Sequence, residues 1–155
     1  MNVPPDPAAS RRPVIRLAAT CACGAIRLAV DGEVRSMLLC SCLACQQATG
    51  TGHAAVALVG ADAISIEGTP KSFARPADSG AVFTRWFCPE CGTPLHGHSS
   101  RAPTLVMLPV GLFGTDSAWF TPGQLIFARS HHQWDTIAAD LPRHETYRQG
   151  GTRDV

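Results

Sequence analysis

The 155-residue sequence has no apolar run long enough to cross a membrane. The longest apolar stretches, such as residues 104–113, reach about half of the ~20 residues that a membrane-spanning helix requires, and they contain proline and glycine. The first residues, 1–13, contain four prolines and no apolar segment, so they lack the pattern of a secretory signal. We therefore expect a cytoplasmic protein without a membrane partner.

An excess of one charge sign is also missing. Thirteen Lys and Arg residues stand against twelve Asp and Glu residues, which leaves a net charge of +1. A chain this balanced has no overall field to attract nucleic acid or an anionic membrane. Apolar residues make up 45% of the chain and charged residues only 16%, a composition typical of a globular protein rather than a disordered one.

Helical periodicity is scarce, and short alternating runs are separated by glycine, proline and aspartate, which predicts an all-β fold. Asp31 and Gly32 indicate a hairpin turn between strands at 26–30 and 34–40. One short helix is predicted at 43–49, ended by Gly50. Further strands are predicted at 53–59, 64–66, 73–75, 82–87, 94–98, 105–110 and 125–130.

We expect one domain over residues 14–148, because single cores commonly span about 100–200 residues. A flexible lead at 1–13 would precede it and a frayed tail at 149–155 would follow it. Residues 131–147 are interrupted by Pro142 and predict an irregular arm docked on the domain.

Seven cysteines are the most informative feature of the chain, and they fall into three groups. An odd number of cysteines without a signal sequence argues against a disulfide framework and favours reduced thiols that bind metal. The groups are Cys21 and Cys23; Cys40, Cys42 and Cys45; and Cys88 and Cys91.

The spacing divides the cysteines into four and three. A Cys-x-x-Cys turn followed by glycine brings two sulfurs to one point, and residues two apart on a strand project to the same face. A structural zinc takes four protein ligands, whereas a catalytic zinc keeps a position for water or substrate. We therefore predict a closed structural zinc site and an open second site, formed respectively by Cys21, Cys23, Cys88 and Cys91, and by Cys40, Cys42 and Cys45.

Two alternatives remain for these cysteines. They could be small buried apolar residues, as free cysteine often is. A histidine could also close the second site as a structural one, for which His53, His96 and His98 are the candidates. His131 and His132 are expected to be solvated.

The cysteine groups and their surroundings resemble the glutathione-dependent formaldehyde-activating enzymes and their relatives, which include the centromere protein V group. The resemblance runs from about Arg16 to Tyr147 and rests on four motifs: CACG at 21–24, CSCLACQQATG at 40–50, FCPECGTPL at 87–95 and DLPRHE at 140–145. It implies a β-tent fold of several small antiparallel sheets. It also implies two zinc ions per chain, a structural one on the four-cysteine set and a more labile catalytic one on Cys40, Cys42 and Cys45.

The resemblance further implies a carbon–sulfur lyase-type enzyme that condenses glutathione, or a similar thiol, with formaldehyde or another small aldehyde. A polar neighbour such as His53 would move the proton, and Arg27, Arg85 or Arg129 would meet the carboxylates of the thiol. Trp86 and Trp119 are candidates to line a pocket. A zinc-stabilised binding module without chemistry, and a thiol redox or metal-buffer protein, remain as alternatives, and a homo-oligomer stays possible.

Overall fold

The computed structural model describes residues 12–148. These residues form mostly β-strands with a single α-helix, which confirms the all-β prediction. The predicted tail and all but the last two residues of the predicted lead lie outside the described residues. The elements are β1 (Val14–Thr20), β2 (Arg27–Cys40), α1 (Leu43–Thr49), β3 (Ala54–Gly60), β4 (Ile64–Glu67), β5 (Lys71–Pro76), β6 (Val82–Phe87), β7 (Pro94–Ser99), β8 (Leu105–Pro109), β9 (Leu125–Ile126) and β10 (Arg143–His144).

The predicted hairpin at Asp31 and Gly32 is wrong, because β2 runs through both residues as one strand of 14 residues. Its first half pairs antiparallel with β1 on one side, and residues 27–30 also pair with β4 on the other. Asp31 and Gly32 lie opposite Arg16 and Ile15 of β1, so the ladder continues through the predicted turn. Glycine at position 32 permits close packing rather than a turn, because a Cβ there would lie 2.7 Å from the Cβ of Ala63. Gly32 therefore lies where β2 passes close to the 3₁₀ turn at Ala61–Ala63.

The second half of β2 belongs to the larger sheet, whose strand order is β10-β9-β2-β3-β8-β7-β6-β5. The register of β2 on β3 shifts between Val34 and Ser36, where the strand passes from one set of partners to the other. All pairings of this sheet are antiparallel except those of β9 with β2 and β10. One long strand thus joins the two sheets and ends at Cys40.

The core lies between the two sheets and includes two of the cysteines. Cys21 and Cys88 are 3% and 0% exposed and belong to the main cluster of buried apolar side chains. Burying apolar surface stabilises the fold by about 25 cal/mol per Å². The aliphatic members of the cluster are Ile15, Ile26, Leu28, Val30, Val34, Val59, Leu95, Val106, Leu108 and Val110.

The short helix is confirmed at its predicted limits, Leu43–Thr49, and ends at Gly50, whose φ of 69° is left-handed. The strand predicted at 125–130 is wrong beyond Ile126, because a 3₁₀ turn at Ala128–Ser130 follows. Parallel pairing of β10 with β9 was not predicted, since two-residue strands carry no periodic signal. Residues 12–148 contain no helix long and apolar enough to span a bilayer.

Candidate metal centres and the adjoining cavity

The predicted four-cysteine set meets in space. The sulfurs of Cys21, Cys23, Cys88 and Cys91 all lie within 4.8 Å of one another. Cys23 Sγ lies 3.6 Å from both Cys21 Sγ and Cys88 Sγ. A tetrahedron of Zn–S bonds near 2.3 Å has edges of roughly 3.8 Å, whereas a disulfide would bring two sulfurs to about 2.05 Å. The donor set therefore fits a tetrahedral zinc ion.

Two similar turns, at residues 21–24 and 88–92, position these sulfurs. Cys21 N–H donates to Ile26 O and Cys88 N–H to Thr93 O, each at 2.9 Å. Gly24 and Gly92 follow with φ of 81° and 75°, which glycine adopts without steric cost. The expected strand face for Cys21 and Cys23 is wrong, because β1 ends at Thr20 and a turn brings the two sulfurs together.

Thr93 links the two turns. Its Oγ1 accepts a hydrogen bond from Ala22 N–H at 3.1 Å and lies 3.1 Å from Cys91 Sγ. This hydroxyl hydrogen bond lowers the pKa of the Cys91 thiol to about 5 in the metal-free chain, with backbone hydrogen bonds from Thr93 and Cys23 assisting. Cys91 is therefore readily deprotonated, as a metal ligand must be.

The predicted three-cysteine set also meets: the sulfurs of Cys40, Cys42 and Cys45 lie within 4.8 Å of one another. Cys40 ends β2, Cys42 caps the helix by accepting from Cys45 N–H at 3.4 Å, and Cys45 lies in the first turn of α1. The expected strand face for Cys40 and Cys42 is therefore replaced by a strand-to-helix corner. Across residues 12–148, no histidine, carboxylate or further cysteine joins this group.

The three thiols interact strongly with one another in the metal-free chain. Hydrogen bonds from Cys40 and then Cys45 lower the pKa of Cys42 far below its ordinary value. The hydrogen bond to Cys42 raises the pKa of Cys40, with further increases from Cys45 and burial. These hydrogen bonds favour the thiolate form at Cys42 and the thiol form at Cys40.

The three-cysteine set lines a cavity of about 1320 Å³, bounded by α1, β3, β7 and the segment after β9. Of the predicted arginines, Arg85 and Arg129 line this cavity, whereas Arg27 does not and pairs with Glu67 at 3.7 Å. Arg129 is in a 3₁₀ turn rather than a strand and is paired with Asp78 at 2.9 Å. Neither predicted tryptophan lines the cavity: Trp86 stacks on His96, and Trp119 packs against Phe113 and Phe120.

Arg75 is a cavity residue that sequence reasoning missed. Its charge lowers the pKa of Cys42 and Cys45, although these effects are smaller than those of the neighbouring thiols. Its guanidinium lies 5.4 Å from the centre of the Phe83 ring, and its Nε is buried without a hydrogen-bond partner in the described part of the chain. The residues next to an arginine on a strand do not indicate which groups its side chain faces. The position of Arg75 in the cavity therefore becomes known only from the fold.

None of the candidate histidines, His53, His96 and His98, joins the three-cysteine set within residues 12–148. His53 and His96 line the cavity, and burial, assisted by the charge of His98, lowers the pKa of His96. His131 and His132 are not solvated: His131 Nε2 donates to Asp135 O at 2.7 Å, and His132 Nε2 donates to Gln46 Oε1 at 2.8 Å. The arm docks on the domain and thereby partly buries both side chains.

The family model for the glutathione-dependent formaldehyde-activating enzyme matches residues 16–130, which include all seven cysteines. The chain belongs to this family. Membership supports a role related to glutathione and formaldehyde. The two cysteine groups of this chain could hold metal ions. The matched segment ends before the motif at 140–145.

No curated protein has a matching sequence. Among solved structures, a crystal structure of a Rhodobacter sphaeroides protein is similar, with a TM-score of 0.51 and 19% identity. The similarity covers 64% of this chain and 89% of that one. At this identity the likeness extends to the fold, so the activity of this family member is argued from its own residues.

Proposed function

We propose that this protein is a carbon–sulfur lyase-type enzyme that condenses glutathione, or another carboxylate-bearing thiol, with formaldehyde or a similar small aldehyde. The observation that carries the proposal is the three-cysteine set in the wall of a large cavity. A purely structural site of this kind would need a fourth donor. Within residues 12–148, none lies beside these sulfurs.

Cys40, Cys42 and Cys45 would hold the second zinc ion, and Cys21, Cys23, Cys88 and Cys91 the first. Zinc at the three-cysteine set would favour the deprotonated form of a substrate thiol, while three thiolate ligands would leave it a weak Lewis acid. We also propose one domain over residues 14–148 that works in the reducing cytoplasm, where these thiols stay reduced.

The condensation transfers one proton within the product. The S–C bond forms, the π bond of the carbonyl breaks, and the proton lost by the thiol ends on the new hydroxyl oxygen. A group that accepts a proton and returns it would accelerate this transfer. His53 would take this role, a proposal supported by its position in the cavity wall and by its Nε2, which has no hydrogen-bond partner in the described residues.

The cavity can also select the thiol. Glutathione carries two carboxylates, and a guanidinium binds a carboxylate through paired hydrogen bonds. Arg75 is the best placed arginine, because its charge already acts on Cys42 and it makes no ion pair within residues 12–148, unlike Arg129. Anchoring the carboxylate would place the thiol near the three-cysteine set and would hold both reactants together.

The test combines metal content with turnover. Purified protein should contain two zinc ions per chain, one of which is lost quickly to a chelator and is retained longer when glutathione is present. The rate of adduct formation, after subtraction of the spontaneous reaction, should rise in proportion to protein concentration. Two zinc ions that resist the chelator, without turnover, would instead support a binding module. Disulfide bonds among Cys40, Cys42 and Cys45, without bound zinc, would support a redox protein.

The variant Cys42→Ser sharpens this test. Replacing this sulfur removes one of three ligands at the proposed catalytic site, so turnover should fall by at least ~100-fold. The fold should persist, with a metal content of one zinc ion per chain by mass spectrometry under native conditions. Full turnover in Cys42→Ser would refute the catalytic assignment.

A further inference from the structure

His53 forms a short hydrogen bond to a carboxylate far away in the sequence. Its Nδ1 lies 2.7 Å from Asp135 Oδ2, and the two side chains are 27% and 12% exposed. An ionised carboxylate only accepts, so Nδ1 carries the proton and donates. In the neutral ring, Nε2 is then left as the acceptor, and His53 borders the cavity.

The segment that carries Asp135 is held on the domain by several hydrogen bonds. His131 Nε2 donates to the Asp135 carbonyl at 2.7 Å, and Asp135 N–H donates to His132 O at 3.1 Å. Arg143 from β10 lies 3.4 Å from His131 Nδ1. The backbone of Asp135 is therefore held by its own turn, independently of His53.

The same segment is tied to the three-cysteine set. Gln46 of α1 donates from Nε2 to Ser41 O at 2.8 Å and to Ser130 O at 2.9 Å, and its Oε1 accepts from His132. Ser41 is fully buried between Cys40 and Cys42. One glutamine thus joins the cysteine corner to the start of the arm, and the arm then reaches His53 through Asp135.

Gly52 makes this approach possible. It is buried, and a Cβ at this position would lie 2.6 Å from the carboxyl carbon of Asp135. Real Cβ atoms do not come this close to another heavy atom, so any larger residue would displace the carboxylate. The backbone beside His53 is therefore shaped to admit Asp135.

We propose that Asp135 is a positioning residue that holds His53 with its Nδ1 protonated and its Nε2 available to the cavity for proton transfer between the thiol and the new hydroxyl group. A carboxylate behind a histidine fixes tautomer and ring orientation, and this can change a rate by several orders of magnitude. The proposal rests on the proposed function only for the identity of the reaction.

Nuclear magnetic resonance of the His53 ring tests the positioning directly. In the wild-type protein, the ring nitrogens should show protonated Nδ1 and unprotonated Nε2. The variant Asp135→Asn should shift the ring toward the other tautomer, because an amide can donate to Nδ1 through its NH₂ group. The matched control is Asp140→Asn, an exposed carboxylate on the same arm, which should leave the His53 signals unchanged. An unchanged tautomer in Asp135→Asn would overturn the proposal.

Kinetics provide the second readout. His53→Ala should lower kcat by about 100-fold, Asp135→Asn by about 10- to 100-fold, and neither should change KM by more than about threefold. Because Asp135 acts through His53, the double variant should be no slower than His53→Ala alone. Added imidazole should restore part of the activity of His53→Ala.

The outcomes separate the two proposals. Additive losses in the double variant, or full kcat in Asp135→Asn, would overturn the positioning role. If the wild-type protein gave no turnover above the spontaneous reaction, the proposed function would fall, and the ring tautomers alone would decide whether Asp135 positions His53.

Discussion

The two cysteine sets differ in the range over which the chain brings them together. Cys23 and Cys88 are 65 residues apart and belong to turns that are distant in the sequence, whereas Cys40, Cys42 and Cys45 lie on one strand-to-helix corner. Two sulfurs of the first set are in the hydrophobic core, while the second set faces a cavity. A long-range link restricts the unfolded chain far more than a local one.

This difference indicates that the long-range set stabilises the fold and the local set serves the chemistry. A metal held by the long-range set contributes its binding free energy to folding, because its ligands converge only in the folded chain. The local set needs one short helix to bring its sulfurs together, and it leaves room in the cavity for a substrate. Stability and chemistry should therefore respond separately to changes in the two sets.

The variant Cys88→Ser should have the largest effect. It removes a fully buried sulfur of the long-range set, so the free energy of unfolding should fall by at least ~4 kcal/mol, as expected if this set holds a structural metal. The loss is measured by urea denaturation. Cys42→Ser is the matched comparison and should cost less than about 1 kcal/mol. An equal loss of unfolding free energy in the two variants would contradict the separate roles of the two sets.

The variant Arg75→Gln should weaken recognition of the thiol at the local set. Loss of the guanidinium should raise KM for glutathione about tenfold, with little change in kcat, because uniform binding is removed. KM for a glutathione diester, which lacks the carboxylates, should not change. Arg27→Gln, whose charge pairs with Glu67 away from the cavity, is the control. An equal rise in KM for glutathione and its diester would contradict a carboxylate contact.

The variant Thr93→Val should have the smallest effect, confined to the long-range set. Loss of the hydroxyl leaves Ala22 N–H without its partner and should lower the free energy of unfolding by about 1 kcal/mol. The pKa of the Cys91 thiol should rise from about 5 toward its ordinary value, since the thiolate loses its main hydrogen bond.

Alkylation of the chelated Thr93→Val protein measures this shift. At pH 7, a higher pKa means less thiolate, so Cys91 should react more slowly than in the wild type, and the rate should recover as pH rises. Thr69→Val, at an exposed turn, should match the wild type. A wild-type alkylation rate for Cys91 in Thr93→Val would show that this hydroxyl does not control the thiol.

Short-range features were predictable from the sequence. The helix at 43–49 was predicted because Gly50 ends it in a left-handed conformation, and strands such as β6 were predicted because their composition and flanking turns are local signals. The meeting of Cys40, Cys42 and Cys45, which are close together in the sequence, also followed from their spacing. These features depend on the geometry of a few consecutive residues.

Features that depend on what packs against a segment were not predictable. Asp31 and Gly32 have the composition of a turn, but pairing with Arg16 and Ile15 of β1 keeps them extended. His131 and His132 look like surface residues until the arm folds onto α1. Hydrogen-bond partners far away in sequence overrode local preference in each case.

The sequence by itself determined the fold class, the family and the division of its cysteines, since alternation, turn residues and ligand spacing act over a few bonds. Only the tertiary structure decided which charged groups surround the three-cysteine set. Arg75 and Asp135 come from separate parts of the chain, and Asp135 reaches His53 because the arm docks where Gly52 leaves space for its carboxylate. Contacts between residues so far apart in the sequence depend on the path of the whole backbone, which the spacing of neighbouring residues does not specify.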